Sequence, residues 1–315
     1  MKQLSLSEYA ENYFDRIGSV GEESALWEAE ASDYVFPPRP RVSHKYSYGR
    51  APIVARALGY SGAPALAANA CERSGAGLTQ LLVPDRIYPI AAARCDGAVV
   101  TPLPSDEKGG FGVEALPELL KALKKAKACA VGPGLGGGAG ARALVRAILQ
   151  EAECPLVLDA DALTVCGQEP ELLARCRAPL ILTPHEGEFR RLGGALDKGR
   201  LAGARAWVEQ APSLILILKG YGTLICRRGE ATVNPTGGPA MAKGGSGDVL
   251  CGVLCALLAQ GFEPWLAARC AVWLHGAAGD LAAAELGEYA LAPSDLIRFL
   301  PQAILKQTKQ TSSIG

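Results

Sequence analysis

The sequence predicts an α/β fold in which a mostly parallel central sheet is covered by helices on both faces, with a small hairpin appended. Three observations carry this expectation. Beyond residue 40, short apolar runs alternate with helical stretches, the pattern of a sheet built from strand–helix–strand units. Two further short runs, 223–226 and 231–233, flank the polar stretch 227–230 as the arms of a hairpin would. A chain of 315 residues that is 49% hydrophobic can also bury a large core within one big domain.

Residues 1–36 have a modest helical pattern, with Leu6, Tyr9, Tyr13, Phe14 and Ile17 at three- and four-residue steps. They end in Phe36-Pro37-Pro38-Arg39-Pro40, which marks a boundary. The chain is therefore divided into an N-terminal extension (1–40), a main domain (41–306) and a polar tail (307–315). The extension is too small to be catalytic and is expected to pack on the main body or at a subunit interface. Strands are expected at 53–55, 78–83, 128–131, 156–159, 180–183 and 214–219, followed by the hairpin. Helices are expected at 63–74, 116–124, 141–150, 199–210, 248–260, 264–284 and 294–305. No internal repeat is visible.

Composition excludes some partners. Lys plus Arg and Asp plus Glu both number 32, and no basic run stands out, which argues against nucleic acid or an anionic membrane. The ten cysteines are scattered without a Cys-x-x-Cys pair, as expected of reduced packing residues in a cytosolic protein. Lys2, Glu8, Glu11, Asp15 and Arg16 interrupt the N-terminus, and the apolar run 249–259 is too short to span a bilayer. A soluble, cytoplasmic protein is the expectation.

The stretch richest in chemistry is 234–252, NPTGGPAMAKGGSGDVLCG. Gly244, Gly245 and Gly247 free the backbone to turn successive N–H groups toward one point, just where a buried helix begins. Asp248 at that mouth is either a helix cap or a general base on an attacking hydroxyl. Four further motifs sit at expected strand ends, where ligands of open α/β sheets collect. The loop at 132–136, GPGLG, is either a close-approach loop for a nucleotide or a tight turn. Asp159 and Asp161 face one side of an extended chain; a mixed role is expected, with one capping the next helix and the other facing the site. His185 stands at a strand terminus among acids, with Glu188 able to serve the following helix. Lys219-Gly220-Tyr221-Gly222-Thr223 is a hairpin connection or a nucleotide lid. His275 reads as a hydrogen-bonded core residue, and His44 merely precedes the first strand of the domain.

Taken in order, the motifs resemble the ribokinase-like superfamily and, within it, the ADP/ATP-dependent NAD(P)H-hydrate dehydratases. The resemblance rests on His44-Lys45 with Tyr48-Gly49-Arg50, Gly59-Tyr60-Ser61-Gly62-Ala63-Pro64, Arg73-Ser74-Gly75-Ala76-Gly77-Leu78, GPGLG at 132–136, LDADAL at 158–163, LTPHEGEF at 182–189, LKGYGTLI at 218–225 and the 234–252 run. It implies a ribokinase-like three-layer sandwich and a repair reaction, in which NADHX or NADPHX, hydrated at C6 of the nicotinamide, is returned to NADH or NADPH with release of AMP and phosphate. It further implies that Asp248, Gly245 and Gly247 act in catalysis, and that Lys219, Gly220, Tyr221, Gly222, Thr223 and Gly247 bind the adenine nucleotide. Ala63, Gly134, His185 and Asp248 would bind the hydrated dinucleotide. Mg²⁺ is expected with the nucleotide, without a dedicated protein metal site. ADP is expected to serve better than ATP, because His185 resembles the bacterial ADP-dependent branch. A homo-oligomer, a tetramer by resemblance, and a separate epimerase are implied as well, since the residues ahead of the match leave no room for the epimerase domain that relatives often carry there. The pattern breaks at Ala55-Arg56-Ala57-Leu58, where family members usually have a glycine-rich strand end, and at Gly238, where Asn is common. Rival readings are a hydroxyethylthiazole- or hydroxymethylpyrimidine-type kinase and a nucleotide-binding protein without turnover.

Overall fold

The computed structural model describes residues 1–13, 15, 25–56, 62–211 and 213–311, with side chains to residue 308. Phe14, Arg16, Ile17, Ala57, Leu58 and the Gly59-Tyr60-Ser61 part of one motif lie outside the described residues. The strands are β1 (Lys2–Gln3), β2 (Ala25–Glu28), β3 (Arg50–Val54), β4 (Leu78–Pro84), β5 (Val99–Leu103), β6 (Cys129–Val131), β7 (Leu156–Leu158), β8 (Leu180–Leu182), β9 (Leu214–Leu218), β10 (Thr223–Arg227) and β11 (Glu230–Asn234). They form one sheet in the order β1-β2-β11-β10-β9-β8-β7-β6-β3-β4-β5. From β9 to β5 every neighbouring pair is parallel, while β10 and β11 form the antiparallel hairpin against β9.

The central strands are fully buried runs such as Leu-Val-Leu and Leu-Ile-Leu, as expected where helices cover both faces. Alternation along each strand then sends successive side chains to two separate cores: Ile53 and Val157 enter one, Val54 and Leu158 the other. The first core is built with helices Gly62–Arg73, Ser246–Ala259 and Pro264–Leu286, and the second with Ala139–Glu151, Ala160–Gln168 and Glu186–Arg191. Helices Ser246–Ala259 and Gly62–Arg73 approach closely because Gly252 carries no Cβ; one added there would collide with Ala67 O.

The edges differ from expectation. β5 was not foreseen, and neither was the strand pair in the first 28 residues: β2 runs parallel to β11, with β1 antiparallel to β2. Buried Tyr9 donates to Asp15 (2.9 Å), whose carboxylate accepts the Arg200 and Leu201 amides at 2.9 and 3.0 Å. This segment is thus tied to the sheet and to helix Arg200–Val208. All ten cysteines are free and nine are buried. Among the described residues no helix is long and apolar enough to cross a membrane.

One topological feature positions the site. The chain runs outward from β3 to β4 and β5, then returns to the other flank of β3 and continues through β6, β7, β8 and β9. The carboxyl ends of β3 and β6 therefore border the crevice where strand order reverses.

Candidate active site

Three strand ends meet beneath one helix N-terminus. Asp159 follows β7, Thr183 follows β8 and Lys219 follows β9. Asp159 Oδ1 accepts from Thr183 Oγ1 and from Lys219 Nζ, both at 2.8 Å. Lys219 Nζ also stands 3.7 Å from Glu188 Oε2. Burial works to lower the Lys219 pKa, but Asp159 and Glu188 outweigh it and leave the group above its ordinary value, so it is a cation at neutral pH. Ala160, next to Asp159, has φ +48°, a left-handed conformation that costs a non-glycine residue about 1 kcal/mol or more.

The expected mixed role for the aspartate pair is corrected, because neither side chain caps helix Ala160–Gln168. Asp159 occupies the cap position, but its carboxyl turns to Lys219; Asp161 Oδ2 instead holds the Gly136 amide at 2.7 Å, fixing the 132–136 loop. His185 and Glu188 form a reciprocal cap on helix Glu186–Arg191: His185 Nδ1 accepts the amides of Gly187 (3.0 Å) and Glu188 (3.3 Å), and Glu188 Oε2 accepts the His185 amide (2.8 Å). With Nδ1 accepting, the proton of a neutral imidazole sits on Nε2, a donor on an exposed side chain.

Helix Ser246–Ala259 begins at Gly245 (φ +103°), and no side chain caps it. Asp248 lies in the first turn, past the cap position, and its carboxylate accepts no hydrogen bond among the described residues, so the capping role is set aside. Its pKa is pushed up to about 7, first by burial and then by Asp159, with Lys219 opposing. The Lys219–Asp159 pair is immediately adjacent: a Cβ built on Gly247 would lie 3.3 Å from Lys219 Nζ and 3.8 Å from Asp159 Oδ2. A carboxyl tuned to neutral pH beside free helix amides suits proton removal from a hydroxyl that attacks a bound phosphoryl group.

A cavity of about 380 Å³ opens beside these groups, lined by Lys219, Gly220, Tyr221, Thr223, Ser246 and Gly247. Asn234, Thr236, Met241, Val272 and Gly276 complete much of its wall. Gly222 is the member of its motif that does not line it; a side chain there would meet the Tyr13 ring instead. His275, expected in the core, is corrected to the cavity wall, and its buried Nε2 has no hydrogen-bond partner among the described residues. Burial lowers its pKa to about 4, which keeps the ring neutral. Ala63 lies in the first turn of helix Gly62–Arg73, Gly134 lies in the 132–136 loop with φ +59°, and exposed His44, ahead of β3, bonds to Ser47. Sequence reasoning missed Thr183 as a ligand of Asp159, and missed the walls given by helix Pro264–Leu286. Only the polar Asn234-Pro235-Thr236 start of the glycine-rich run hinted at that side of the cavity.

Comparison with known proteins places the chain in a family. The profile of the NAD(P)H-hydrate dehydratase family matches residues 52–302. The bifunctional NAD(P)H-hydrate repair enzyme of Moorella thermoacetica is 37% identical over 283 residues, covering 88% of this chain and 53% of that protein. The chain spans about half the length of the curated relatives it matches. Among solved structures, the ADP/ATP-dependent NAD(P)H-hydrate dehydratase of Bacillus subtilis, co-crystallised with ATP and Mg²⁺, superposes with TM-score 0.76 at 30% identity over 91% of this chain and 100% of that one. A ribokinase-like superfamily protein of Enterococcus faecalis gives TM-score 0.79 at 29% identity, over 90% and 96% of the two chains.

Proposed function

The chain belongs to the NAD(P)H-hydrate dehydratase family, and we propose that it restores hydrated NADH and NADPH with ADP, less readily with ATP, as phosphoryl donor. The observation that carries this reading is the Asp248 carboxyl, poised at about 7 by burial and Asp159 and standing at an uncapped helix N-terminus beside the cavity.

Asp248 takes the proton of the C6 hydroxyl as that oxygen bonds to the terminal phosphorus of ADP and the bond to AMP breaks. The amides of 244–247 and the helix dipole stabilise the charge on the transferring group. The ring nitrogen then expels phosphate from C6, and loss of a C5 proton restores the dihydronicotinamide. Lys219 keeps the Asp159 and Glu188 carboxyl groups occupied and bears on the base from 3.7 Å or less of both. Ala63, Gly134 and His185 contact the dinucleotide, and 219–223 with Gly247 contact the adenine nucleotide.

The described residues hold no cluster of three or more His, Cys, Asp or Glu able to cage a metal. Mg²⁺ would be carried largely by the nucleotide phosphates and water, with one or two carboxylates from the chain. Asp159 would serve here through Oδ2, since Oδ1 is engaged by Thr183 and Lys219. Bound there, Mg²⁺ would neutralise phosphate charge. The reading extends to residues 41–306 as the catalytic unit, a tetrameric assembly in the cytoplasm and a separate epimerase supplying the reactive epimer.

The test is to incubate the purified chain with NADHX, Mg²⁺ and ADP or ATP and follow NADH absorbance. No NADH with either nucleotide, together with stable phosphorylation of another alcohol, moves the assignment to a small-molecule kinase. Nucleotide binding with no product of either kind leaves a binding protein.

A further inference from the structure

We propose that Arg56 is a phosphate-binding group for the dinucleotide substrate, set in the crevice between the carboxyl ends of β3 and β6. This rests on the substrate reading above and goes beyond it by naming a residue outside the motifs that suggested it.

Placement is the first ground. Arg56 stands two residues past the end of β3, at the point where strand order reverses, and its amide donates to Pro133 O (3.2 Å) in the loop after β6. Ligands of open α/β sheets enter at such a crevice. The same loop is tied to the catalytic rim, because Gly136 N is held by Asp161, two residues beyond Asp159. Two strand spacings, β3 to β6 to β7, separate Arg56 from the strand that carries Asp159, a distance of roughly 10 Å. The phosphates of a dinucleotide stand away from its nicotinamide by a ribose or more, so one molecule can meet both Asp248 and Arg56.

The second ground is an uncommitted guanidinium. Arg56 Nη1 lies 2.5 Å from where a Cβ would sit on Gly136, and 3.0 Å from where one would sit on Gly110. Side chains at either glycine would fill the space it occupies. Its guanidinium makes one long bond, 3.4 Å to Lys108 O, and no carboxylate among the described residues lies within ion-pairing distance. Its buried Nε has no hydrogen-bond partner among the described residues. Of the nearby carboxyl groups, Asp161 Oδ2 holds Gly136 N and Asp106 Oδ1 holds Gly110 N (2.6 Å), while Asp106 Oδ2 lies 3.0 Å from the same Gly110 Cβ position as Arg56 Nη1 without forming an ion pair. A second guanidinium, Arg142, donates to Gly137 O of the same loop at 2.7 Å. Phosphate supplies the acceptors this fork lacks, in the geometry it binds best.

The phosphate is either the pyrophosphate common to both dinucleotides or the 2′-phosphate of the NADPH series, and binding separates them. Affinities for NADH and NADPH, neither of which is turned over, are measured by calorimetry for wild type, Arg56→Gln and Arg56→Lys, with AMP affinity and melting temperature alongside. The glutamine variant is expected to lose about 10- to 100-fold in affinity for NADPH, and the lysine variant less, with AMP affinity and melting temperature unchanged. An equal loss for NADH assigns the pyrophosphate, and a loss confined to NADPH assigns the 2′-phosphate. Unchanged or tighter dinucleotide binding by both variants overturns the proposal, as does a wild-type chain that binds neither dinucleotide. Arg56-dependent binding without NADH formation from NADHX would instead sink the repair reaction and leave the phosphate site standing.

Discussion

Asp248→Asn should sharply lower turnover and yet stabilise the protein. The carboxyl is shifted from the usual range near 3.8 to about 7, so the folded state binds its proton more tightly than the unfolded state does. Stability contributed by such a group is intact below the unfolded pKa, declines as pH rises from about 4 to about 7, and stays low above that. Raising the carboxyl from 3.8 to about 7 sets a ceiling of about 4 kcal/mol. Part of the side chain reaches solvent, which brings the expected penalty to about 1–2 kcal/mol. Asparagine keeps the shape and removes the charge, so urea unfolding should show the variant more stable at pH 8 and nearly equal to wild type at pH 4. Loss of the base should lower turnover by about 10²–10⁴-fold, with ADP affinity held or slightly improved. A variant less stable than wild type at pH 8 would mean the carboxylate is structural. Near-normal turnover would refute its role as base.

Other outcomes follow from the same contacts. The acid limb of kcat/KM should have its midpoint near pH 7, and Lys219→Gln should move it upward, because Lys219 favours the ionised form of Asp248; a midpoint unmoved in the variant would remove Lys219 from the tuning. His185→Asn puts a capping oxygen where His185 Nδ1 accepts the Gly187 and Glu188 amides, so its melting temperature should change little, while parallel assays should show a smaller preference for ADP over ATP. Gly252→Ala should destabilise by about 1–3 kcal/mol, since its methyl would meet Ala67 O in the packed pair of helices; an unchanged melt would show that the pair can separate freely.

The central sheet was legible because its strands are continuous apolar runs, and burial on both faces leaves no polar position to blur them. The edges were not. Val99-Val-Thr-Pro-Leu is partly exposed and carries Pro102, and Ala-Leu-Trp-Glu at 25–28 is short and only half covered, so neither stands out against its surroundings. Within the site, each motif could be placed at a strand end, but the partners within it could not be read. Lys219 could be read as a phosphate ligand from the glycine turn that follows it, but its salt bridge to a residue 60 positions away could not be read, because it is fixed only when β7, β8 and β9 align. Asp161 looked interchangeable with Asp159 by spacing. The left-handed Ala160 between them breaks the extended geometry on which that inference depended, and sends the two carboxyl groups to different loops.

The charge balance of this cluster singles out Asp248 from its neighbours as the candidate base. Among the described residues Lys219 is the one Lys or Arg cation paired with this group of carboxyls, 2.8 Å from Asp159 and 3.7 Å from Glu188. Asp159 is further held by Thr183, and Glu188 accepts the His185 amide, so both carboxyl groups have fixed hydrogen-bond partners. Asp248 has neither a hydrogen-bond donor nor an ion pair within reach among the described residues, and the charge of Asp159 adds to its burial. The proton is therefore easiest to place on Asp248, the one carboxyl that also stands where the phosphoryl group would be held. Exchanging the roles would require moving Lys219 toward the helix, which its place at the end of β9 and the bond from its amide to Pro184 O (2.8 Å) oppose.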